Sequence, residues 1–133
     1  PRKIFFGEKD MQQLKIIENY ARKKHKKVQI IGCKTIRERN GLAYSSRNFL
    51  LNKKQKKITS KIYKLLMKKK TILIKKKYFI KSIKSKILKL GANKIDYLEV
   101  LNINKLIKPY KRKNKYKIFI AYYLGKVRLI DNI

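Results

Sequence analysis

Apolar and polar positions at the start of the chain predict a strand, a helix and a second strand. Arg2–Phe6 is rich in apolar side chains and is followed by Gly7, which is typical of a short strand. From Asp10 to His25, apolar residues recur at helical spacing. Lys27–Ile31 alternates and predicts the second strand. Such a βαβ unit normally belongs to a larger parallel sheet, so we expect it to be the last piece of a domain whose bulk is missing.

Two longer helices are predicted downstream. Asn52 is a favourable N-cap, and Gln55 three residues later completes a capping-box pattern. The apolar stripe of this helix extends to about Lys69 and consists of Ile58, Ile62, Leu65 and Leu66. The second helix is expected over Lys77–Leu90, with Gly91 as its C-cap. Its inward-facing positions are Ile80, Ile83, Ile87 and Leu90.

Three strands are predicted to follow these helices. Ile95–Leu101 is the first, Tyr116–Leu124 is the second, and a turn at Gly125 leads into the third, Val127–Ile130. The segment 108–115, KPYKRKNK, is expected to be a charged loop. The later part of the chain is therefore predicted to be a small α+β domain, with helices laid on an antiparallel sheet of about three strands.

Lysine is the commonest charged residue of the chain. The chain has 39 Lys and Arg residues against seven Asp and Glu, a formal net charge of +32, and such an excess first indicates nucleic-acid binding. The lysines are scattered along the chain and not gathered on one tail or helix face, so we interpret most of them as solvated background. A basic nucleic-acid-binding module, for instance a ribosome-associated protein, remains the competing hypothesis, since Tyr110 and Tyr116 interleave with lysines.

The chain has one cysteine and one histidine, which argues against a disulfide within the chain and against a metal site at the histidine. Cys33 has no second cysteine to pair with, which fits a reducing compartment, and its place beside Gly32 in an apolar run predicts a small buried thiol. His25 lies in RKKHKK with no Cys, Asp or second His nearby, so we expect a solvated residue at a helix end and no metal site.

No stretch of the sequence predicts a membrane span. The longest apolar run, Ile118–Leu124, falls far short of the ~20 residues that a spanning helix needs, and no signal peptide is visible. Pro1 could follow a removed methionine or could be a cut end, and the sequence favours the cut because it enters a motif almost at once.

A motif with the chemistry of a phosphate site spans Arg37–Asn48 and reads RERNGLAYSSRN. Gly41 lets the backbone approach a ligand closely, hydroxyls donate singly, and an arginine fork can hold two oxygens at once. Its donors are Arg37, Ser45, Ser46 and Arg47. The alternative is a polar loop that leads into a helix, and the residues alone leave both interpretations open.

A second motif, FGEKDMQQ, lies between the first predicted strand and helix. Lys9 adds a cation, and Asp10 is suited to ribose hydroxyls. Ligands of open α/β sheets bind beyond the carboxyl ends of strands, which is where these residues are expected. The alternative is that Glu8 and Asp10 simply favour the positive end of a helix dipole. The sequence offers no nucleophile–base pair, metal cluster or Walker loop beside them.

Together FGEKDMQQ, RERNGLAYSSRN and the closing GKVRLIDN make the chain resemble the later half of the pantothenate synthetase family. That resemblance implies a cytoplasmic, homodimeric ligase that joins pantoate to β-alanine with ATP and Mg²⁺. The reaction passes through a pantoyl-adenylate and releases pyrophosphate and then AMP. The implied fold class is α/β: the last βαβ piece of a Rossmann-like nucleotide-binding domain, residues 1–35, followed by a small α+β lid domain, residues 36–133.

The resemblance also implies roles for individual residues. The ATP site would be lined by Gly7, Glu8, Lys9 and Asp10, with Lys9 at the phosphates and Asp10 at the ribose. Gln13 would hydrogen-bond pantoate, and the Ile36 backbone would meet adenine. The lid would close over the phosphates with Tyr44, Ser45, Ser46 and Arg47. Lys9 and Arg47 would be the catalytic cations.

Several family features are missing or altered. The early His-x-Gly-His segment and an early pantoate-binding glutamine have no counterpart in the chain. Asn40 replaces the usual Asp, and Tyr44 replaces a typical Met or Leu. An inactive fragment of a former enzyme is therefore an alternative that differs in competence and not in ancestry.

Overall fold

The computed structural model describes residues 1–103 and 116–133, which form two compact units. Unit 1 comprises residues 1–35 with 102 and 103, and unit 2 comprises 36–101 with 116–133. The charged loop expected at 108–115, with Tyr110, lies outside the described residues. No described helix is both long and apolar enough to cross a membrane.

Unit 1 is the predicted βαβ unit. Strand β1 (Lys3–Gly7) leads through a 3₁₀ turn, Glu8–Asp10, into helix α1 (Met11–Lys24), and strand β2 (Gln29–Cys33) follows. The strands pair in parallel from Lys3 opposite Gln29 to Gly7 opposite Cys33. β2 begins two residues later than predicted, because the chain first turns after α1 and the Val28 amide donates to the His25 carbonyl. His25 is exposed at the helix end, as predicted.

The packing of unit 1 is one-sided. Met11, Leu14 and Ala21 are buried on α1, and a Cβ at Gly32 would come within 3.0 Å of Leu14 Cδ2, so glycine permits the close approach of β2 to the helix. Lys15 is buried in an ion pair of 2.6 Å with Glu18. No residue of the two described strands is fully buried.

The prediction of a buried thiol at Cys33 is wrong, because Cys33 is exposed. It is the last residue of β2, at the edge of a sheet that has only two strands among the described residues. Two parallel strands with one helix cannot cover both faces of their sheet, and Phe5 is likewise 63 % exposed.

Unit 2 begins with two helices. In α2 (Lys53–Lys75) the predicted capping box is present: the Gln55 amide donates to Asn52 Oδ1 at 2.9 Å, and the Asn52 amide donates to Gln55 Oε1 at 3.0 Å. The helix extends beyond Lys69 because Leu73, fully buried, continues its apolar stripe. A 3₁₀ turn at Lys77–Phe79 replaces the predicted start of the next helix, α3 (Ile80–Lys89), and Gly91 lies one residue beyond its C-cap.

The three predicted strands form one antiparallel sheet in the order β3 (Lys94–Asn102), β4 (Tyr116–Leu124), β5 (Val127–Asn132). β4 and β5 are joined by a tight turn, with Leu124 opposite Val127. The helices cover one face of this sheet and enclose a single core. Its most buried members are Ile62, Leu66, Leu73, Ile83, Ile87, Leu98, Ile118, Ile120 and Leu124. β5 extends two residues further than predicted and so brings Asp131 and Asn132 into the sheet.

Candidate functional site

The first group of expected site residues lies where β1 ends and α1 begins. Gly7 closes β1, and the 3₁₀ turn carries Glu8, Lys9 and Asp10 to the helix N-terminus. Asp10 is exposed at the N-cap position, but its side chain makes no capping hydrogen bond to α1. A capping role therefore does not account for this carboxylate, which stands where backbone amides and the helix dipole favour an anion. Gln13 is exposed one turn further along the helix.

The second motif begins as a tight hairpin. Arg37 and Ala43 form an isolated antiparallel bridge, and the Tyr44 amide donates to the Ile36 carbonyl at 3.0 Å. At its tip Gly41 has a φ of 92°, and a Cβ there would collide with the Tyr63 ring. Only glycine combines this backbone angle with so close a neighbour.

Asn40 stabilises the hairpin turn through both polar atoms of its side-chain amide. Its Oδ1 accepts from the Leu42 amide at 2.8 Å, which an aspartate could also do. Its Nδ2 donates to Glu38 at 3.1 Å, where an aspartate would repel. The Ser60 hydroxyl of α2 donates to the Asn40 carbonyl at 2.7 Å, so the turn is tied to the helix beneath it.

Arg37 is not available as a phosphate donor, and the expectation that placed it among the donors is wrong. Its guanidinium donates hydrogen bonds to both carboxylate oxygens of Asp131, at 2.7 and 2.9 Å. The guanidinium also lies 4.5 Å from the centre of the Tyr63 ring. Burial lowers the pKa of Arg37, but the hydrogen bond and charge of Asp131 outweigh it and leave the pKa raised. Arg37 therefore stays charged as a structural cation of the motif.

The remaining donors follow the hairpin directly. The Ser45 side chain caps a 3₁₀ helix, Ser46–Leu50, by accepting from the Arg47 amide at 3.3 Å. Ser46 and Arg47 are exposed, and Arg47 Nη1 donates to the Arg128 carbonyl of β5 at 3.3 Å. A serine hydroxyl that accepts one hydrogen bond can still donate its own proton. Two hydroxyls and a guanidinium thus belong to three consecutive residues at the start of this short 3₁₀ helix, and all three can donate to the oxygens of an anion.

The last residue of the motif is part of its scaffold. Asn48 is buried, and its Nδ2 donates to the Ala43 carbonyl at 3.1 Å. Its Oδ1 has no hydrogen-bond partner among the described residues. Sequence reasoning missed this scaffold, whose other members are Ser60, Tyr63 and Asp131; only the GKVRLIDN signature pointed toward Asp131.

Each unit thus gathers its own part of the expected site. Gly7, Glu8, Lys9, Asp10 and Gln13 are neighbours in unit 1, and Ile36, Tyr44, Ser45, Ser46 and Arg47 are neighbours in unit 2. The convergence of the two groups on one ligand stays a prediction. The described residues include no group of three or more His, Cys, Asp and Glu side chains that could hold a metal ion.

Comparison with known proteins gives a consistent result over the whole chain. The family model for pantoate-beta-alanine ligase matches residues 1–133. A pantothenate synthetase of Endomicrobium trichonymphae is 39 % identical over 98 % of this chain and 47 % of its own length. One from Clostridium botulinum strain Loch Maree is 40 % identical over 99 % of this chain and 48 % of its own. The chain therefore spans about half the length of the curated relatives it matches.

Solved structures of similar proteins share the fold. Pantoate-beta-alanine ligase from Francisella tularensis, complexed with Beta-gamma ATP and Beta-alanine, superposes with a TM-score of 0.73 at 34 % identity. It covers this whole chain with 43 % of its own. Pantothenate synthetase from Thermus thermophilus gives a TM-score of 0.81 at 27 % identity, with 49 % of its chain covered.

Proposed function

The chain belongs to the pantoate-beta-alanine ligase family, and we propose that it supplies the later half of an active site that makes pantothenate from pantoate, β-alanine and ATP. The observation that carries this proposal is the set Ser45, Ser46 and Arg47 at a helix N-terminus, on a fold shared with a ligase solved with Beta-gamma ATP and Beta-alanine. Two hydroxyls and a guanidinium suit the oxygens of a polyphosphate.

The proposed reaction has two steps. A pantoate carboxylate oxygen attacks the α-phosphorus of ATP, and pyrophosphate leaves with the electron pair of the broken P–O bond. The amine of β-alanine then attacks the acyl carbon of the pantoyl-adenylate, loses a proton, and AMP leaves. Negative charge grows around the α-phosphate in the first step, so cations fixed there act chiefly on the transition state. We assign that task to Lys9 and Arg47.

The other site residues hold the substrates. Gly7 and Glu8 line the ATP site, and Asp10 accepts from the ribose hydroxyls through a carboxylate that α1 does not use as a cap. Gln13 hydrogen-bonds pantoate. Ile36 meets adenine through its backbone, in company with Tyr44. That pairing is supported by the hydrogen bond that joins these two residues across the hairpin.

The same proposal assigns the domains of the chain, the metal ion that accompanies ATP, the oligomeric state and the cellular location. Residues 1–35 are the end of the nucleotide-binding domain and 36–133 are the lid domain, which closes over the phosphates. ATP enters as its Mg²⁺ complex, an ion held largely by phosphates and water. The complete protein is a homodimer through its preceding half. An ATP substrate and a single unpaired thiol support a cytoplasmic location.

We propose no specific nucleic-acid partner and no membrane partner for this chain. Exposed lysines occur on helices α1, α2 and α3 and at the first residues of β1 and β3, so the described part of the chain spreads its positive charge over several elements. They would attract any polyanion weakly, through counterion release.

Pyrophosphate release tests the proposed function. We expect none from the 133-residue chain alone, because it lacks the histidine segment and the sheet on which unit 1 would pack. Joined to the preceding half of the Endomicrobium trichonymphae relative, the same residues should release pyrophosphate and form pantothenate. Turnover by the short chain alone would refute the half-site proposal, and an inactive joined protein would leave the inactive-fragment alternative.

A further inference from the structure

The Arg37–Asp131 ion pair connects the start of the motif to the last strand of unit 2. Its two hydrogen bonds form a fork on a carboxylate, and its side chains are only 18 % and 15 % exposed. The same guanidinium donates to the Gly41 carbonyl at the hairpin tip and to the Asn132 carbonyl of β5, both at 3.1 Å. One side chain therefore ties both the base and the tip of the hairpin to β5.

The carboxylate is itself held in place. Asp131 Oδ1 accepts from the Asn132 amide at 2.8 Å, and Asp131 lies in β5 opposite Ile120 of β4. Asp131 therefore presents a fixed acceptor on a paired strand, and a fixed acceptor can impose an orientation on the arginine that binds it.

The far end of the motif also rests on β5. Arg47 donates to the Arg128 carbonyl, three residues before Asp131 on the same strand. Between these two attachments only Tyr44 separates the hairpin bridge at Ala43 from Ser45. A change in the tilt of the hairpin therefore moves the three donors directly.

We propose that the Arg37–Asp131 pair positions Ser45, Ser46 and Arg47 for the phosphates, acting through the hairpin and touching no substrate itself. The inference rests on the proposed function for its catalytic consequence. Arg37 and Asp131 are thus positioning residues. A misplacement of about 1 Å in such a donor set can slow a reaction by about 10²-fold.

Asp131→Asn tests the proposal, because the amide preserves the shape and removes the charge. Hydrogen exchange in the 133-residue chain should accelerate about tenfold or more at the Glu38, Gly41 and Tyr44 amides, which close the hairpin. In the joined protein, single-turnover pyrophosphate release should slow about 10- to 100-fold. Asp96→Asn is the matched control, since Asp96 binds Arg128 Nε at the same 2.7 Å at an exposed site, and it should leave both measurements unchanged.

Arg37→Lys is a second, milder test of the same ion pair, in case Asp131→Asn does not fold. Lysine keeps the charge opposite Asp131 but cannot bond both carboxylate oxygens in a fork, so it should show the same two changes to a smaller degree. Thermal unfolding of each variant separates loss of folded protein from slower release by folded molecules.

Each outcome decides the proposal. Exchange that matches the wild type in Asp131→Asn overturns it, and so does faster exchange with unchanged pyrophosphate release. A joined wild-type protein without activity refutes the proposed function, and the exchange comparison with Asp96→Asn then decides on its own whether the pair holds the hairpin.

Discussion

Gly41 and Tyr63 lie so close together that the hairpin tip has no room for a side chain. The ring of Tyr63 on α2 occupies the space where a Cβ at Gly41 would point, and the φ of 92° at Gly41 disfavours any other residue. The same ring lies against the Arg37 guanidinium. The Tyr63 side chain therefore excludes a side chain at the tip of the hairpin and packs against the arginine at its base.

Gly41→Ala should destabilise the chain. The backbone angle costs about 1–3 kcal/mol, and crowding against the Tyr63 ring adds about 1–3 kcal/mol. Urea unfolding measures the loss. Gly7→Ala is the control, because Gly7 has an ordinary φ of −69° and nothing within 4 Å of its Cβ position, so its free energy of unfolding should change by less than about 0.5 kcal/mol. Equal effects from the two substitutions would contradict the assigned cause.

Tyr122 should make the chain sensitive to alkali. Burial raises the pKa of Tyr122, and the nearby Asp131 carboxylate raises it further. Below the unfolded pKa of about 10 both states hold the proton; above it only the unfolded state ionises, so stability falls as pH rises, by up to about 1.4 kcal/mol per pH unit.

The Tyr122→Phe variant should lose this part of the alkaline decline when free energies of unfolding are compared between about pH 9 and 11, on either side of the unfolded pKa. Tyr78→Phe, at a residue that is 70 % exposed, should follow the wild type throughout. If stability declined with pH as steeply in Tyr122→Phe as in the wild type, ionisation of Tyr122 would not be the cause of the alkaline loss of stability.

Lys9→Ala and Arg47→Ala should each slow pyrophosphate release by the joined protein about 10²- to 10³-fold, since each removes a fixed donor to developing charge. Neither side chain is buried, so the free energy of unfolding should change by less than about 0.5 kcal/mol. The controls are Lys24→Ala at the other end of α1 and Arg39→Ala within the motif, both exposed. If the control variants lost as much rate, the effect would come from the lower net positive charge of the protein and not from the positions of Lys9 and Arg47.

Binding of nucleic acid by the chain should be weak and indifferent to sequence. Released counterions dominate such binding, so the affinity should fall steeply between about 50 and 200 mM salt, by about 10³-fold if some six phosphates are contacted. Fluorescence anisotropy with two unrelated RNA oligonucleotides of equal length measures it. A tight complex that survives physiological salt and prefers one oligonucleotide would support the basic module instead.

Most of unit 2 was predictable because its signals are local. Tyr116–Leu124 has the predicted bounds, since an apolar run ending at a glycine turn contains everything that defines the strand. The capping box of α2 lies within four residues and was equally readable. The end of α2 was not, because three consecutive lysines at positions 68–70 interrupt the apolar pattern, and only packing of Leu73 in the core shows that the helix continues.

The sequence was enough to propose the donors of the candidate site, but not to identify the residues that support them. Ser45, Ser46 and Arg47 are adjacent in sequence, so their chemistry could be recognised directly. Arg37 was misassigned because its partner lies 94 positions away, and no local pattern distinguishes a structural arginine from a binding one. Cys33 was misjudged for a related reason: the apolar run suggests burial, but burial needs covering elements that the described part of unit 1 does not provide.

Because the motif is attached to β5, it can reach its final structure only after β5 has been synthesised. Ribosomes release a chain from its N-terminus, so residues 36–48 emerge long before Val127–Asn132. Until that strand has paired with β4, Arg37 lacks both its carboxylate and the Asn132 carbonyl. Helices α2 and α3 depend on local contacts and can form earlier. On the proposed function, the anion site is therefore completed only after Val127–Asn132 has been made and has paired with β4.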